Sequence, residues 1–145
     1  MCHGDVAPRN TVFRDGRAAA FIDWDGIWVS APMWDLGHAV WQFGPVCGDD
    51  DPWLRQWPEL PDRSARIAAL VRGYRPGRPE AEGLGDIVVE VIAGCHRSVV
   101  RKAAAGVPAF VRLRDEGVLE ELGSQLQAAQ QYRTLIVDAV LAGAS

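Results

Sequence analysis

The stretch His3-Gly4-Asp5-Val6-Ala7-Pro8-Arg9-Asn10, answered further on by Phe21-Ile22-Asp23-Trp24-Asp25, decides how the rest of the chain is read. Asp5 and Asn10 fall on one predicted loop. Thr11 to Phe13 and Ala18 to Ile22 read as two short strands joined by the turn Arg14-Asp15-Gly16-Arg17, a hairpin that returns Asp23 to the side of Asn10. His3, Asp5, Asn10 and Asp23 are side chains that move protons or bind hard cations. Each is also an ordinary turn or cap residue when taken alone.

Phosphoryl transfer is the chemistry that needs this set together. One carboxylate orients a substrate hydroxyl, while an amide oxygen and a second carboxylate hold Mg²⁺ against nucleotide phosphates. The spacing H-x-D-x-x-x-x-N is the catalytic-loop pattern of protein kinases, and Asp23 stands where their metal-binding Asp stands. The wording differs from a protein kinase. His3-Gly4-Asp5, Pro8, Asn10, Ile22-Asp23-Trp24-Asp25 and Pro32-Met33-Trp34-Asp35-Leu36-Gly37 resemble the aminoglycoside phosphotransferase family, kinase-like enzymes that include choline and homoserine kinases. The resemblance is detailed from Cys2 to Phe43 and looser beyond, where it includes Pro108-Ala109-Phe110-Val111-Arg112-Leu113.

That resemblance implies a role for each residue. Asp5 is the catalytic base or hydroxyl-orienting group, with an oxygen free toward the cleft, and Asn10 and Asp23 are the Mg²⁺ ligands. Asp25 either reaches a second Mg²⁺, directly or through water, or bonds local backbone amides. His3 packs beneath the metal-binding loop and holds its backbone by a hydrogen bond. Asp35, buried at a helix start, accepts hydrogen bonds from loop amides. The implied cofactors are Mg²⁺ and ATP, or GTP, and the implied acceptor is a hydroxyl of an aminoglycoside-like or other small metabolite. Arg9 either neutralises phosphate or is solvated.

The family's catalytic loop lies deep in a carboxyl-terminal lobe, behind a nucleotide-binding lobe. The chain is therefore expected to be a carboxyl-terminal lobe fragment of a protein-kinase-like fold and inactive alone. No Gly-rich phosphate loop is present, and the single lysine, Lys102, falls in a predicted helix. A second reading is a non-catalytic remnant or binding module that self-associates or pairs with a separate nucleotide-binding chain. A third, a metal-dependent phosphoesterase on His3, Asp5, Asp23 and Asp25, lacks further His or Asp ligands at suitable spacing.

Composition narrows the class. The 145 residues, 48% hydrophobic and 23% charged, suit one globular unit, here divided into a loop-and-hairpin part at 1–31 and a helical part at 32–145. A net charge of -4 argues against a nucleic-acid partner carried by a basic face. Cys2, Cys47 and Cys95 show no paired spacing, which points to a reducing, cytoplasmic home and not to a disulfide framework or zinc ribbon. No apolar run reaches membrane-spanning length.

The expected fold is mainly α with one small β-hairpin. Apolar spacing predicts a helix from about Trp34 to Phe43, stopped by Gly44 and Pro45, and another after the N-cap Asp62, stopped by Pro76 and Gly77. Between them Gly48 to Pro61 reads as a long loop with room for a short helical turn. By the resemblance it lies beside the acceptor cleft, where its Asp and Trp residues either hold a cationic sugar or merely pin a solvated loop. Leu84, Ile87, Val88, Val91, Ile92, Cys95 and Val99 set the clearest helical rhythm, running to about Ala105. A short helix from Ala109 to Asp115 and a single last helix from Val118 to Leu141 complete the chain. His38 and His96 read as packing or surface residues, and the six tryptophans as core and cleft lining.

Overall fold

The computed structural model describes residues 1–144. It is mainly helical, with one antiparallel hairpin. Strand β1 (Thr11–Arg14) pairs with β2 (Arg17–Phe21), so Arg14 and Arg17 close the hairpin and the loop shrinks to Asp15-Gly16. Both loop residues take positive φ, 50° and 73°, the turn whose twist matches that of paired strands; Asp tolerates this region and Gly has no penalty there. Val12 faces Ala20 and Phe13 faces Ala18, which leaves Ala19 as a bulge in β2. Ile22 lies just beyond the strand, yet its N–H still reaches the Asn10 carbonyl at 2.9 Å.

The body is made of α1 (Met33–Phe43), α2 (Arg63–Tyr74), α3 (Arg78–Ala104), α4 (Pro108–Asp115), α5 (Val118–Gln131) and α6 (Arg133–Ala144). α3 is the axis: α1, α4, α5 and α6 all pack on it, and α2 is held chiefly against α6. Its rhythm ends up in the core, with Leu84, Val88, Val91 and Ile92 wholly buried. It begins two turns before Leu84 because Pro79 suits a first turn and Glu80 accepts the Gly77 N–H at 2.8 Å, satisfying an otherwise orphaned donor. Asp62 caps α2 by accepting the Ala65 N–H at 3.0 Å. The loop from Gly48 contains one 3₁₀ turn, Pro52–Gln56, capped by Asp51.

The expected single last helix is two. Tyr132 leaves helical geometry at φ -86°, ψ 5°, and the chain changes direction there. One straight rod would lie along α3 alone; the break lets α5 lie on α3 while α6 reaches both α3 and α2, burying Ile136 and Val140. Polar contacts fix the corner. Tyr132 Oη bonds Asp49 at 3.2 Å, the Arg63 guanidinium lies over its ring, and Arg133 pairs with Asp86 of α3. No Gly or Pro marks the break in the sequence.

None of the described helices is long and apolar enough to cross a membrane. The hairpin stands off the body: β2 is exposed along its length, and Phe13, Phe21, Ile22, Trp24 and Trp28 each leave two fifths or more of their surface open.

Candidate active site

The loop Cys2–Asn10 is shaped by its backbone amides. Cys2 forms an antiparallel bridge with Trp28, and its thiol donates to the Ala31 carbonyl. The Asp35 carboxylate, half-buried in the first turn of α1, accepts the His3 N–H at 2.8 Å through one oxygen and the Gly4 N–H at 2.9 Å through the other. Gly4 sits at φ 79°, and a Cβ there would lie 2.9 Å from the Gly26 carbonyl oxygen, so only glycine lets the chain pass.

His3 is 2% exposed and packs against the Trp24 and Phe21 rings. Its Nδ1 accepts the Asp5 N–H at 3.3 Å, so the ring proton sits on Nε2 and donates to the Ile22 carbonyl at 2.9 Å. One imidazole thus spans the loop and the end of the hairpin.

Asp5 and Asn10 meet directly. Asn10 Nδ2 donates to Asp5 Oδ2 at 2.8 Å and to the Asp5 carbonyl at 3.0 Å. Both amide hydrogens are used, which leaves Asn10 Oδ1 as the end of this buried side chain available to a cation. The Asp5 carboxylate does not keep a bare oxygen toward the cleft: Oδ2 takes Asn10, and Oδ1 takes Arg9 at 2.6 Å. Arg9, read from sequence as solvated or phosphate-facing, is both exposed and paired, lying in the 3₁₀ turn Pro8–Asn10 that follows Asp5. A carboxylate has about four acceptor sites, so each oxygen still has room for one more donor.

Asp23 follows Ile22 in the left-handed region, φ 64° and ψ 61°, and is exposed. Among the described residues none bonds or pairs with the Asp23 or Asp25 carboxylate. Nor do three His, Cys, Asp or Glu side chains gather as a ready cation site among them. The donors near the hairpin mouth, an amide oxygen and a carboxylate, are nonetheless hard oxygen ligands. Mg²⁺ typically takes one or two such protein groups and completes its shell with phosphate oxygens and water.

Asp5 also lines a cavity of about 560 Å³ between the loop and α1, α3, α4 and α5. Its frame depends on Gln125, which the sequence reading passed over. Gln125 is 5% exposed; its Oε1 accepts the Trp41 indole N–H at 3.0 Å, while its Nε2 donates to Glu121 at 3.1 Å and Asp51 at 3.4 Å. Asp51 in turn accepts the Trp53 N–H at 2.8 Å. The available signal was a polar residue three after Leu122 and four before Ala129, in the apolar phase of its helix.

Burial also acts on two titratable groups nearby. Burial, and secondarily Asp5, pushes the Cys95 thiol up to about 11, so the thiolate form is disfavoured. His38 is 2% exposed; burial lowers its pKa, and its Nδ1 has no hydrogen-bond partner. No curated protein and no solved structure matches the chain. Residues 1–84, which contain the Asp5–Asn10 loop, the hairpin, α1 and α2, match the model of the phosphotransferase enzyme family, and the chain belongs to that family.

Proposed function

We propose that the chain forms the helical, acceptor-binding lobe of a protein-kinase-like phosphotransferase that moves the γ-phosphoryl group of ATP, or GTP, onto a hydroxyl of a small molecule. The observation that carries this reading is the direct Asp5–Asn10 contact at the edge of the cavity, with the uncommitted Asp23 held nearby by the Ile22–Asn10 backbone bond. Asp5 accepts a hydrogen bond from the substrate hydroxyl, aims its lone pair and takes its proton as the new P–O bond forms. Asn10 Oδ1 and the Asp23 carboxylate would hold Mg²⁺, which when bound neutralises the phosphate oxygens and orients them. Asp35, His3 and Gly4 keep the loop in register, and Asp25, whose carboxylate has no protein partner among the described residues, would reach the metal through water. Lys102 of α3 stands over the Phe110 ring of α4 and is not among the residues that line the cavity beside Asp5.

Titration of the chain with Mn²⁺ and ATP, followed by electron paramagnetic resonance, tests the metal assignment. Nucleotide-dependent Mn²⁺ binding is expected, and Asp23→Ala should weaken it at least tenfold. Binding unchanged in Asp23→Ala would overturn the assignment. The exposed Phe13, Phe21, Ile22, Trp24 and Trp28 favour a second reading, in which the lobe acts as a binding module for another chain.

A further inference from the structure

The cavity beside Asp5 carries information on the acceptor, and the inference from it rests on the phosphotransferase reading. Its walls are mostly rings and aliphatic chains, among them Trp41, Trp53, Phe110, Leu113 and Leu122. Besides Asp5, Arg9 and Glu121, the polar side chains on its walls are Gln42, Ser98 and Gln125, and the Gln125 amide is already spent on Trp41, Asp51 and Glu121. A polyaminated sugar entering here would shed water from more donors and acceptors than these can replace. An apolar ring would gain from the same walls.

The charges along the cavity narrow the choice further. Asp5 and Arg9 neutralise each other. Glu121 is the remaining charged side chain in the lining, and among the described residues no basic group pairs with it. Glu121 and Trp53 also line a neighbouring cavity of about 540 Å³ that Asp5 and Arg9 do not touch, which puts Glu121 on the border away from the reacting end. A volume of about 560 Å³ admits a multi-ring body.

We propose that the acceptor is a ring-bearing, largely apolar alcohol with a single amine, its hydroxyl at Asp5, its body against Trp41, Trp53 and Phe110, and its ammonium at Glu121. Isothermal titration of the chain with three probes, without nucleotide or metal, tests this. 1-(6-(Aminomethyl)-2-naphthyl)ethanol carries its alcohol and its amine at opposite ends of the naphthyl ring; 1-(2-naphthyl)ethanol lacks the amine; kanamycin is a polyaminated sugar. The amino alcohol should bind roughly fivefold tighter than naphthylethanol, the size of an exposed ion pair, and kanamycin weakest. Glu121→Gln, an exposed and conservative change, should erase the amine advantage and leave naphthylethanol unaffected. Leu113→Asn, checked for an unchanged helical melt, should weaken both ring ligands. Tightest binding by kanamycin, an amine advantage that survives Glu121→Gln, or no binding of either ring ligand would overturn the proposal. Failure of these titrations with Asp23-dependent Mn²⁺ binding intact would remove the acceptor class alone. Loss of that metal binding with these results intact would remove the phosphotransferase reading instead.

Discussion

The loop and hairpin at 1–31 and the helical body after it are built from different forces. In the body, Leu84, Val88, Ile92, Ile67 and Ile136 lose all contact with water, and apolar burial sets the arrangement of α1, α4, α5 and α6 around α3 and of α2 against α6. The loop and hairpin have little to bury. Their order comes from directed bonds: Asp35 to two amides, His3 to Ile22 and Asp5, Asn10 to Asp5, and Cys2 to Trp28. Apolar burial tolerates small displacements, whereas a hydrogen bond weakens steeply with angle and distance. The candidate site residues therefore sit on the part that fixes geometry, and that part borrows its foundation, Asp35, from the first turn of α1.

Substitutions that strike one region and spare the other separate the two. The largest loss is expected for Leu84→Ala, which opens a void in α3 and should cost about 2–5 kcal/mol, read from the urea midpoint of the whole chain. Asp35→Ala comes next: it strands the His3 and Gly4 amides at about 1–3 kcal/mol for each one that water does not reach. Hydrogen exchange should then show the loop opening while the α3 amides stay protected. Uniform loss of protection would mean the two regions fold as one.

A smaller effect should follow pH. Burial holds the His38 pKa below its usual 6.5; Asp5 and Asp35 pull it up, and Arg9 and His3 push it down. The unfolded chain takes up this proton near pH 6.5 and the folded chain resists it. Stability is therefore whole above about 6.5 and falls as pH drops from there toward the lowered folded value. His38→Leu should shrink the difference between urea midpoints at pH 7.5 and pH 5.5, and an unchanged difference would sink the assignment.

The smallest stability change is expected for Asp5→Asn, within about 0.5 kcal/mol, since the residue is partly exposed and the amide keeps one acceptor. In a nucleotide-competent form its cost should appear as lost transfer with nucleotide binding retained. An unfolded Asp5→Asn protein beside a stable, inactive Asp35→Ala protein would show the two carboxylates in exchanged roles.

The loop was legible because its candidate site residues lie on two short stretches, and the helices because apolar periodicity survives without a partner in view. Contacts that join distant stretches were not. Gln125 meets Trp41 and Asp51 across most of the chain, and nothing local in α5 names either partner. The break at Tyr132 has the same origin: the demand to cover α2 comes from sixty residues away, and only packing expresses it. Arg9 over Asp5 was within reach of local spacing, but loop arginines are more often solvated than paired, which made solvation the simpler expectation.

Gln125 also bears on how a ligand is received. With its acceptor and both donors engaged, the amide cannot invert without breaking three bonds, so Trp41 of α1, the Asp51–Trp53 corner and the Glu121 turn of α5 are clamped to one another before anything arrives. A molecule entering the cavity meets walls that are already ordered, and little chain entropy is surrendered on its capture. Selectivity then follows from shape, and a poorly shaped guest is turned away because the walls do not close around it.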